Sequence, residues 1–552
     1  MPAVQIRKPM TDPRNTTLRA GLDCAEDFFA RAQSRVSDLV QGDKDGLNRH
    51  QFAAHGLAWV ATYTQALRQT LAWVEGLNNA GKCTELESLM ADAAFGEYLS
   101  QLLGGIALSQ GEIIRPSDMG MRETDLAGFD APKIKALMAD GNTMAKRQRI
   151  AELIKDGNFG DWGLEDETHI LVRDQFSRFS DEQIAPFAND WHLANDLIPD
   201  GVLDQMSELG VFGLTIDEAH GGLAMGRAAL CIVTEELSRG YLGVGSLPTR
   251  TEIAAELIRM SGTDDQKARF LPAIASGDMI PTAVFTEPDT GSDLGGLRTK
   301  AVRDGDTWRI SGQKTWITHG ARSDLMTLLV RTKPDETGWR GLSMFLAVKP
   351  RGTVDDPFPA TGMTGTEIGV LGYRGMHEYE ISFDQFEVPH ENLLGGVEGE
   401  GFKQLMQTFE SARIQTAARA NGVAQNALEL AVSYAHDRKQ FGQSIANFDR
   451  ISGKLGWMAV EIMVSRQLAF FAAREKDSGR RCDGEAGMAK LFAARAAWSA
   501  ADNAVQVHGG NGYALEFPVS RLLLDARILN IFEGAAEIQA HVIARAILAD
   551  RN

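Results

Sequence analysis

Apolar residues recur every three or four positions through the first 115 residues of the chain, which is the spacing of one helix face. A further apolar run, from Phe95 to Ile114, ends at Arg115-Pro116, where proline stops a helix. The pattern predicts an all-α unit over 1–115, then a weakly periodic linker over 116–163 with one short helix near Ile134–Ala139. The first two helical stripes are Leu22, Ala25, Phe29, Ala32, Val36 and Leu39, and Val60, Tyr63, Leu67, Leu71 and Val74.

The pattern changes twice in the rest of the chain. Residues 164–278 keep the helical period and predict a second helical unit. Over 279–395, short runs rich in β-branched and aromatic residues predict a β domain, and Tyr379, Ile381 and Phe383 alternate with polar residues as in a half-buried strand. The helical period returns over 396–552, which predicts four long helices packed as a bundle.

Size and charge limit the class of protein. A chain of 552 residues, 44% of them hydrophobic, exceeds the size at which one core keeps growing, so several units are expected. The net charge of -18 argues against a nucleic acid or an anionic membrane as partner, because either would require clustered Lys and Arg. An anionic ligand must therefore meet local positive groups.

The cysteines indicate a reducing compartment. Cys24, Cys83, Cys231 and Cys482 are scattered and form no CxxC pair, so neither a disulfide framework nor a metal site is predicted. Residues 1–20 lack the apolar stretch of a signal peptide, and we expect no run of about 18 apolar residues that could span a bilayer. A soluble, cytoplasmic protein is predicted.

One carboxylate stands out late in the chain, in the stretch NIFEGAAEIQ over Asn530–Gln539. Glu533 lies between a bulky apolar pair and Gly534, which lets the backbone turn sharply. Desolvation in such a place raises the pKa of a carboxyl group, and this is the usual way in which a Glu becomes a general base. The alternative is that Glu533 caps the positive end of a helix that begins near Ala535.

Five ordered motifs make the chain recognisable. Together with the succession of helical, β and helical units, they resemble the acyl-CoA dehydrogenase family over about 163–552. The resemblance implies a mainly α fold with a central β-barrel-like domain, a helical domain before it and a C-terminal four-helix bundle after it. This chain adds an extra N-terminal helical domain. The motifs are FTEPDTGSD at 285–293, KTWIT at 314–318, RKQFG at 438–442, QVHGGNGY at 506–513 and FEG at 532–534.

The resemblance also implies a reaction. In the family, an acyl-CoA thioester loses a proton from Cα to a base, while its Cβ gives a hydride to FAD. Glu533 would be the base, and the backbone N–H of the same residue would donate to the thioester carbonyl. Trp316, Thr318 and Glu378 would crowd the flavin edge and limit oxygen access, so an electron-transferring flavoprotein is the expected electron acceptor.

The motifs divide the expected cofactor contacts into two groups. One surrounds the flavin ring, and the other, at a helix end and a loop, reaches the FAD of a neighbouring subunit, so a homodimer or a dimer of dimers is expected. The first group is Phe285, Thr286, Ser292, Trp316 and Thr318, and the second is Arg438, Phe441, Gln506 and Gly510. The expected substrate contacts are Ser292, Gly534 and Arg413, which resembles the arginine that braces the catalytic loop.

A few positions depart from the family pattern. Ala412 stands where some members carry their base, and it cannot take a proton, whereas Glu410 should point to another helix face. Ala535 replaces a common threonine, which removes one possible flavin phosphate contact. Glu378 places an extra acid near the substrate channel or the flavin edge.

Further features make the resemblance specific to one subgroup of the family. They are the extra N-terminal unit, the total length, and Trp316, Thr318 and Glu378. They resemble members that oxidise a short branched dicarboxylyl-CoA thioester, with methylsuccinyl-CoA as the expected substrate and mesaconyl-CoA as the product. A glutaryl-CoA or short branched-chain acyl-CoA dehydrogenase is the enzymatic alternative. In a different class, the chain would be a weakly catalytic flavoprotein that serves as a binding or assembly factor.

The distal carboxylate of such a substrate needs a cation to offset its desolvation. Arg250 is the candidate, because it follows Pro248 near an expected helix start and its guanidinium can contact a carboxylate with two N–H groups. The alternative is that Arg250 pairs with Glu252 or Glu256 at a subunit surface.

Overall fold

The computed structural model describes residues 13–549, and its first part is an N-terminal helical unit. The helices are α1 (Pro13–Val40), α2 (Gly46–Arg49), α3 (Gln51–Asn79), α4 (Glu85–Gly104), α5 (Pro132–Asp140) and α6 (Met144–Leu153). A capping box starts α4: the Thr84 hydroxyl accepts from the N–H of Leu86, and the Glu87 carboxylate accepts from the N–H of Thr84. The predicted all-α character of this region is confirmed apart from one hairpin.

That hairpin replaces the end of the helix predicted to reach Ile114. The backbone of Gly105 has φ 130°, which ends α4, and Ile106–Ala107 (β1) pairs antiparallel with Ile113–Ile114 (β2). A side chain at position 105 would meet Ile113 at 2.9 Å, so both the conformation and the space require glycine. The prediction is wrong here because an apolar run alone does not separate a short strand from a helix.

Residues 116–163 contain more structure than the predicted linker. The short helix near Ile134 is present as α5, two 3-10 helices (Pro116–Met119 and Glu123–Asp130) precede it, and α6 follows it. A Cβ at Gly456 in the C-terminal region would lie 2.2 Å from the carbonyl oxygen of Arg147 in α6. Glycine at 456 therefore lets this segment dock backbone to backbone on the rest of the chain.

Aromatic side chains complete this interface. Tyr98 packs edge-on against Trp457 and Phe492, with both pairs of ring centroids 5.8 Å apart. The guanidinium of Arg495 lies 4.0 Å from the ring centroid of Trp59, in cation–π contact. The N-terminal unit and the C-terminal helices thus share one hydrophobic core.

The second helical unit carries one deeply buried helix. The helices are α7 (Glu167–Phe179), α8 (Ala185–Ala194), α9 (Asp200–Glu208), α10 (Gly226–Gly240), α11 (Leu242–Ser261) and α12 (Asp264–Ala275), and a π-helical turn (Ser180–Ile184) joins α7 to α8. All residues of α11 from Leu242 to Ile258 are buried. The polar side chains of α11, including Arg250, are therefore inside the protein.

The middle region is the predicted β domain. Its seven strands are β3 (Pro281–Val284), β4 (Lys300–Asp304), β5 (Thr307–Thr318), β6 (Leu325–Arg331), β7 (Leu342–Val348), β8 (Met363–Ile368) and β9 (Glu378–Pro389). They form one sheet in the order β3-β6-β4-β5-β9-β8, and β7 pairs with β6. The register between β5 and β9 shifts between Lys314 and Ile317, which places a bulge at Trp316.

The C-terminal region is helical, with three long helices and two shorter ones among its described residues. They are α13 (Gly401–Asp437), α14 (Asp449–Asp477), α15 (Asp483–His508), α16 (Val519–Ile528) and α17 (Ala536–Ala549), and Lys439–Gln440 (β10) pairs with Gln443–Ser444 (β11) between α13 and α14. By length and composition α14 is long and apolar enough to cross a membrane. However, 89% of its most apolar window is buried inside the protein, as expected for the core helix of a bundle.

Candidate active site

Glu533 lies in the loop between α16 and α17, in a backbone conformation that is rare for a residue with a side chain. Glu533 and Gly534 have φ values of 52° and 91°, so the predicted sharp turn is present. The ammonium group of Lys490 on α15 donates to the carbonyl oxygen of Gly534 at 2.6 Å. The side-chain amide of Gln539 donates to the carbonyl oxygens of Glu533 and Gly534, at 3.2 and 3.1 Å. Two side chains therefore hold the strained turn from behind.

The carboxylate of Glu533 is surrounded by cations and a hydroxyl. Thr416 donates to its Oε2 at 2.6 Å, and Nη2 of Arg419 lies 2.7 Å from its Oε1. Nη2 of Arg250 lies 3.6 Å from the same Oε1. Burial by itself raises the pKa of Glu533, but Arg419, Arg250 and Thr416 together hold it below the ordinary range. The predicted rise in pKa is therefore wrong, because α11 and α13 supply two cations that the local sequence does not reveal.

The arginine that contacts the loop of Glu533 is Arg419, not Arg413. Nη1 of Arg413 pairs with Asp483 at 3.1 Å, and no contact between Arg413 and Glu533 is found among the described residues. On α13, Arg419 is seven positions after Ala412, which returns it to the same face, whereas Arg413 is turned about 100° away. Ala412 is buried against core residues. As expected, Glu410 faces elsewhere, and its carboxylate lies 2.8 Å from Nζ of Lys476.

Arg250 lies beside Glu533 rather than at a surface. Its side chain is buried, and Nη2 forms a hydrogen bond with the Tyr373 hydroxyl at 3.2 Å. Nη2 of Arg227 lies 3.2 Å from Glu252 and 3.4 Å from Glu256, so these carboxylates have a different arginine as partner. The alternative in which Arg250 pairs with them at a surface is thereby excluded.

A second buried carboxylate, Glu378, lies at the start of β9. Thr318 on β5 donates to its Oε2 at 3.0 Å, and within the described part of the chain Oε1 has no hydrogen-bond partner. Burial raises the pKa of Glu378 to about 7, although the Thr318 hydrogen bond and the charge of Arg250 oppose the rise. The extra acid recognised in the sequence therefore changes its protonation state near neutral pH.

The first predicted group of cofactor contacts converges on the end of β5. The backbone N–H of Thr315 donates to the carbonyl oxygen of Thr286, and the ammonium of Lys314 donates to that of Phe285, at 3.0 and 2.9 Å. Trp316, at the bulge, has φ 59° and a side chain that is 57% exposed. Ser292 is exposed in the loop that follows Phe285 and Thr286.

These residues fit a flavin ring. An exposed indole beside the buried hydroxyl of Thr318 offers one stacking surface and one polar contact. The unpartnered Oε1 of Glu378 adds a buried polar atom at the same edge. A planar ring with polar atoms along its rim matches this set of groups.

The second predicted group lies at the far end of α13. Arg438 follows this helix, about 33 Å from Thr416 at ~1.5 Å rise per residue. The ring of His508, which is the last residue of α15 and lies between Gln506 and Gly510, stacks on Tyr434 with centroids 4.1 Å apart, so the two motifs are neighbours. Phe441 is 91% exposed, and Arg438, Gln506 and Gly510 are exposed as well. Within one chain, this group and Glu533 are not brought together.

Sequence reasoning missed four residues of the site: Thr416, Arg419, Tyr373 and Lys490. Thr416 and Arg419 carry a usable signal, since they follow Ala412 by four and seven positions on one helical stripe. Lys490 is a lone cation within an apolar helical run. Tyr373 lies in the loop between β8 and β9 and has no periodic signal.

Comparisons with known proteins agree with this geometry. Three family models match the chain: the N-terminal domain of acyl-CoA dehydrogenase over 166–278, the middle domain over 282–386 and the C-terminal domain over 399–548. The chain is 57% identical over 549 residues to (2S)-methylsuccinyl-CoA dehydrogenase of Cereibacter sphaeroides, covering 98% of this chain and 99% of that protein.

Solved structures match about seven tenths of the chain. Butyryl-CoA dehydrogenase from Megasphaera elsdenii is 30% identical with a TM-score of 0.66, over 70% of this chain and 99% of that one. Glutaryl-CoA dehydrogenase from Mycobacterium smegmatis is 28% identical with a TM-score of 0.65, over 71% and 97%. The chain belongs to the acyl-CoA dehydrogenase family, whose members are FAD-dependent oxidoreductases acting on CH–CH groups.

Proposed function

We propose that this enzyme oxidises (2S)-methylsuccinyl-CoA to mesaconyl-CoA, with Glu533 as the base. The relative from Cereibacter sphaeroides, whose name states this substrate, matches the whole length of the chain, including the N-terminal unit. The observation that carries the proposal is the buried guanidinium of Arg250, 3.6 Å from the base. A thioester with a second carboxylate supplies an acceptor for the Nε–H of this guanidinium, which has no hydrogen-bond partner within the described part of the chain.

The chemistry needs one proton acceptor and one hydride acceptor. The Cα–H bond of the substrate breaks, and its proton passes to the carboxylate of Glu533. FAD, which Trp316 and Thr318 would hold, would supply the acceptor for the hydride from Cβ, so that a C=C bond could form between Cα and Cβ. Thr416 and Arg419 keep Glu533 ionised and oriented, so it can take the proton without first releasing one.

The cations around Glu533 also make it a weak base, since a carboxylate with a low pKa attracts a proton poorly. A substrate carboxylate bound at Arg250 would offset the charge of that guanidinium and raise the pKa of Glu533. A dicarboxylyl thioester would therefore both bind and strengthen the base. A thioester without the second carboxylate would leave Arg250 facing Glu533.

We further propose that FAD is shared between subunits of a homodimer or a dimer of dimers. The flavin ring would lie against Trp316 and Thr318 of one subunit, and the remainder of FAD would contact Arg438, Phe441, Gln506 and Gly510 of its neighbour. The separation of about 33 Å along α13 supports this division, because one site cannot use both groups of a single chain. We also propose a cytoplasmic location and an electron-transferring flavoprotein as electron acceptor.

Anaerobic reduction of the bound flavin tests the substrate. The absorbance of the yellow protein should bleach fastest with methylsuccinyl-CoA, and more slowly with succinyl-, glutaryl- and isobutyryl-CoA. Faster bleaching by glutaryl- or isobutyryl-CoA would favour the corresponding dehydrogenase instead. A protein that binds FAD but bleaches with none of the four thioesters would fit a binding or assembly factor.

A further inference from the structure

Tyr373 reaches the site from a loop that packs against α16. It lies between β8 and β9 with φ 58°, in the left-handed region that is strained for a tyrosine. Its backbone N–H donates to the buried carboxylate of Asp525 on α16 at 2.7 Å. A Cβ at the preceding Gly372 would lie 2.7 Å from the backbone of Leu524, so the loop lies directly against α16. The position of Tyr373 is therefore set by the C-terminal region, although the residue belongs to the β domain.

Two contacts of the Tyr373 side chain reach the neighbourhood of Glu533. Its ring packs edge-on against Phe532, with centroids 5.2 Å apart and an interplanar angle of 88°. Its hydroxyl lies 3.2 Å from Nη2 of Arg250. The side chain is only 4% exposed, so both contacts form in a desolvated space where a hydrogen bond to a cation is strong.

Arg419 and Arg250 approach Glu533 to different distances. Arg419 contacts Oε1 at 2.7 Å, whereas the nearest nitrogen of Arg250 lies 3.6 Å away and forms its hydrogen bond with Tyr373. A guanidinium free to move in a buried pocket would close on the carboxylate, because that pairing is favoured by charge. The phenol hydroxyl is the contact that competes with this closure.

We propose that Tyr373 is a positioning residue, which holds the Arg250 guanidinium beside Glu533 rather than on it. The guanidinium then keeps N–H groups available for the distal carboxylate of the substrate. This deepens the proposed function, since it names what makes Arg250 available. It also concerns the base directly, because an Arg250 closed on Glu533 would make that carboxylate a weaker base for any thioester.

A double-mutant cycle on the holoenzyme tests whether Tyr373 acts through Arg250. The variants are Tyr373→Phe, Arg250→Met and the double variant, assayed with methylsuccinyl-CoA and with 2-methylbutyryl-CoA, which has a methyl group in place of the distal carboxylate. Tyr373→Phe removes only the hydroxyl and keeps the ring against Phe532. Tyr63→Phe is the matched control, since it removes a buried hydroxyl that bonds Gln101 in the N-terminal unit.

We expect Tyr373→Phe to lower kcat/KM for methylsuccinyl-CoA about tenfold, the effect of losing a hydrogen bond to a charged group. For 2-methylbutyryl-CoA the expected loss is smaller and falls in kcat rather than in KM. In the Arg250→Met background, Tyr373→Phe should change kcat/KM for either substrate by less than about twofold, because the guanidinium that bonds the Tyr373 hydroxyl is gone. Tyr63→Phe should match wild type in both assays.

The proposal would be overturned if the losses in kcat/KM of the two single variants multiplied in the double variant. Tyr373 would then act independently of Arg250 and have only a structural role. If Tyr373→Phe loses FAD or melts early, Tyr373→Met provides a second apolar replacement for the same cycle. Failure of the proposed function has a different signature: wild type would oxidise methylsuccinyl-CoA no better than 2-methylbutyryl-CoA. The double-mutant cycle would then still decide the role of Tyr373, because it can be calculated from the kcat values of the variants with 2-methylbutyryl-CoA.

Discussion

Two glutamates near Arg250, Glu533 and Glu378, are both buried, yet their pKa values move in opposite directions. At Glu533, Arg419, Arg250 and Thr416 outweigh the effect of burial and lower the pKa. At Glu378, one hydroxyl and a more distant charge do not, and burial raises the pKa to about 7. Burial alone therefore does not decide the state of a carboxyl group; the number and closeness of its cationic partners do.

The difference separates the tasks of the two groups. Glu533 is ionised over the neutral range and can accept a proton, whereas Glu378 is partly protonated near pH 7 and can then donate a hydrogen bond. At neutral pH, Glu533 is therefore the carboxyl group that is present almost entirely in the form that can accept a proton.

Replacing the base is the most direct way to test this difference. Glu533→Gln should still bind FAD and acyl-CoA but lose about three orders of magnitude in kcat, since general-base catalysis is typically worth 10²–10⁴-fold. Ala412 cannot take over the proton. Flavin reduction in a stopped-flow instrument gives the rate, and Glu410→Gln, on another face of α13, is the comparison variant. Activity within tenfold of wild type would place the base elsewhere.

Replacing Glu378 by a neutral residue should change how the free energy of unfolding depends on pH. The pKa of Glu378 lies above its ordinary value of 4.5, so between pH 4.5 and about 7 the unfolded chain releases a proton that the folded chain keeps. Stability therefore falls as the pH rises through this window, by up to about 3 kcal/mol at ~1.36 kcal/mol per pKa unit.

Glu378→Gln removes that loss. Its Tm advantage over wild type should be larger at pH 8 than at pH 5, measured with FAD bound. Glu387→Gln, an exposed residue of the same strand, should show no such trend. An advantage that is equal at both pH values would mean that Glu378 does not titrate in this range.

Arg250 is the cation near both glutamates, and replacing it tests whether it recognises the distal carboxylate of the substrate. Arg250→Met should lower kcat/KM more for methylsuccinyl-CoA than for 2-methylbutyryl-CoA. The difference corresponds to about 2 kcal/mol of transition-state stabilisation, as expected for a buried charge-assisted hydrogen bond. Arg269→Met, at an exposed arginine that pairs with Glu391, serves as control. Equal losses for the two thioesters would give Arg250 only a structural part.

The smallest effect is expected from replacing Lys490, which holds the turn of Glu533 and Gly534 in place. Lys490→Met removes the hydrogen bond to Gly534 and should lower kcat about tenfold by loosening the Glu533 turn. Burial, with Arg419 and Arg413, lowers the pKa of Lys490 to about 7, although Glu533 opposes this. The loss should therefore be larger at pH 6 than at pH 9. Lys454→Met, at a lysine that bonds Asn503, is the matched control, and a loss of the same size there would remove the special role of Lys490.

Local sequence was sufficient for most elements and for the turn that carries Glu533. The helices of the C-terminal region follow from the helical period and β9 follows from alternation, and both are properties of neighbouring residues. Glu533 before Gly534 likewise identified a sharp turn that presents a carboxylate. The hairpin of β1 and β2 and the helix α6 were missed, because one is too short and the other too weakly amphipathic for a periodic signal.

The tertiary structure alone decided the charge around the base. Arg250 comes from α11, Arg419 from α13 and Lys490 from α15, and none of them is near Glu533 in sequence. Local sequence predicted a raised pKa, since it showed only the apolar neighbours of Glu533, whereas the folded chain brings two guanidiniums within 4 Å of the carboxylate. A pKa depends on groups that are close in space, and that closeness is set by how the helices pack.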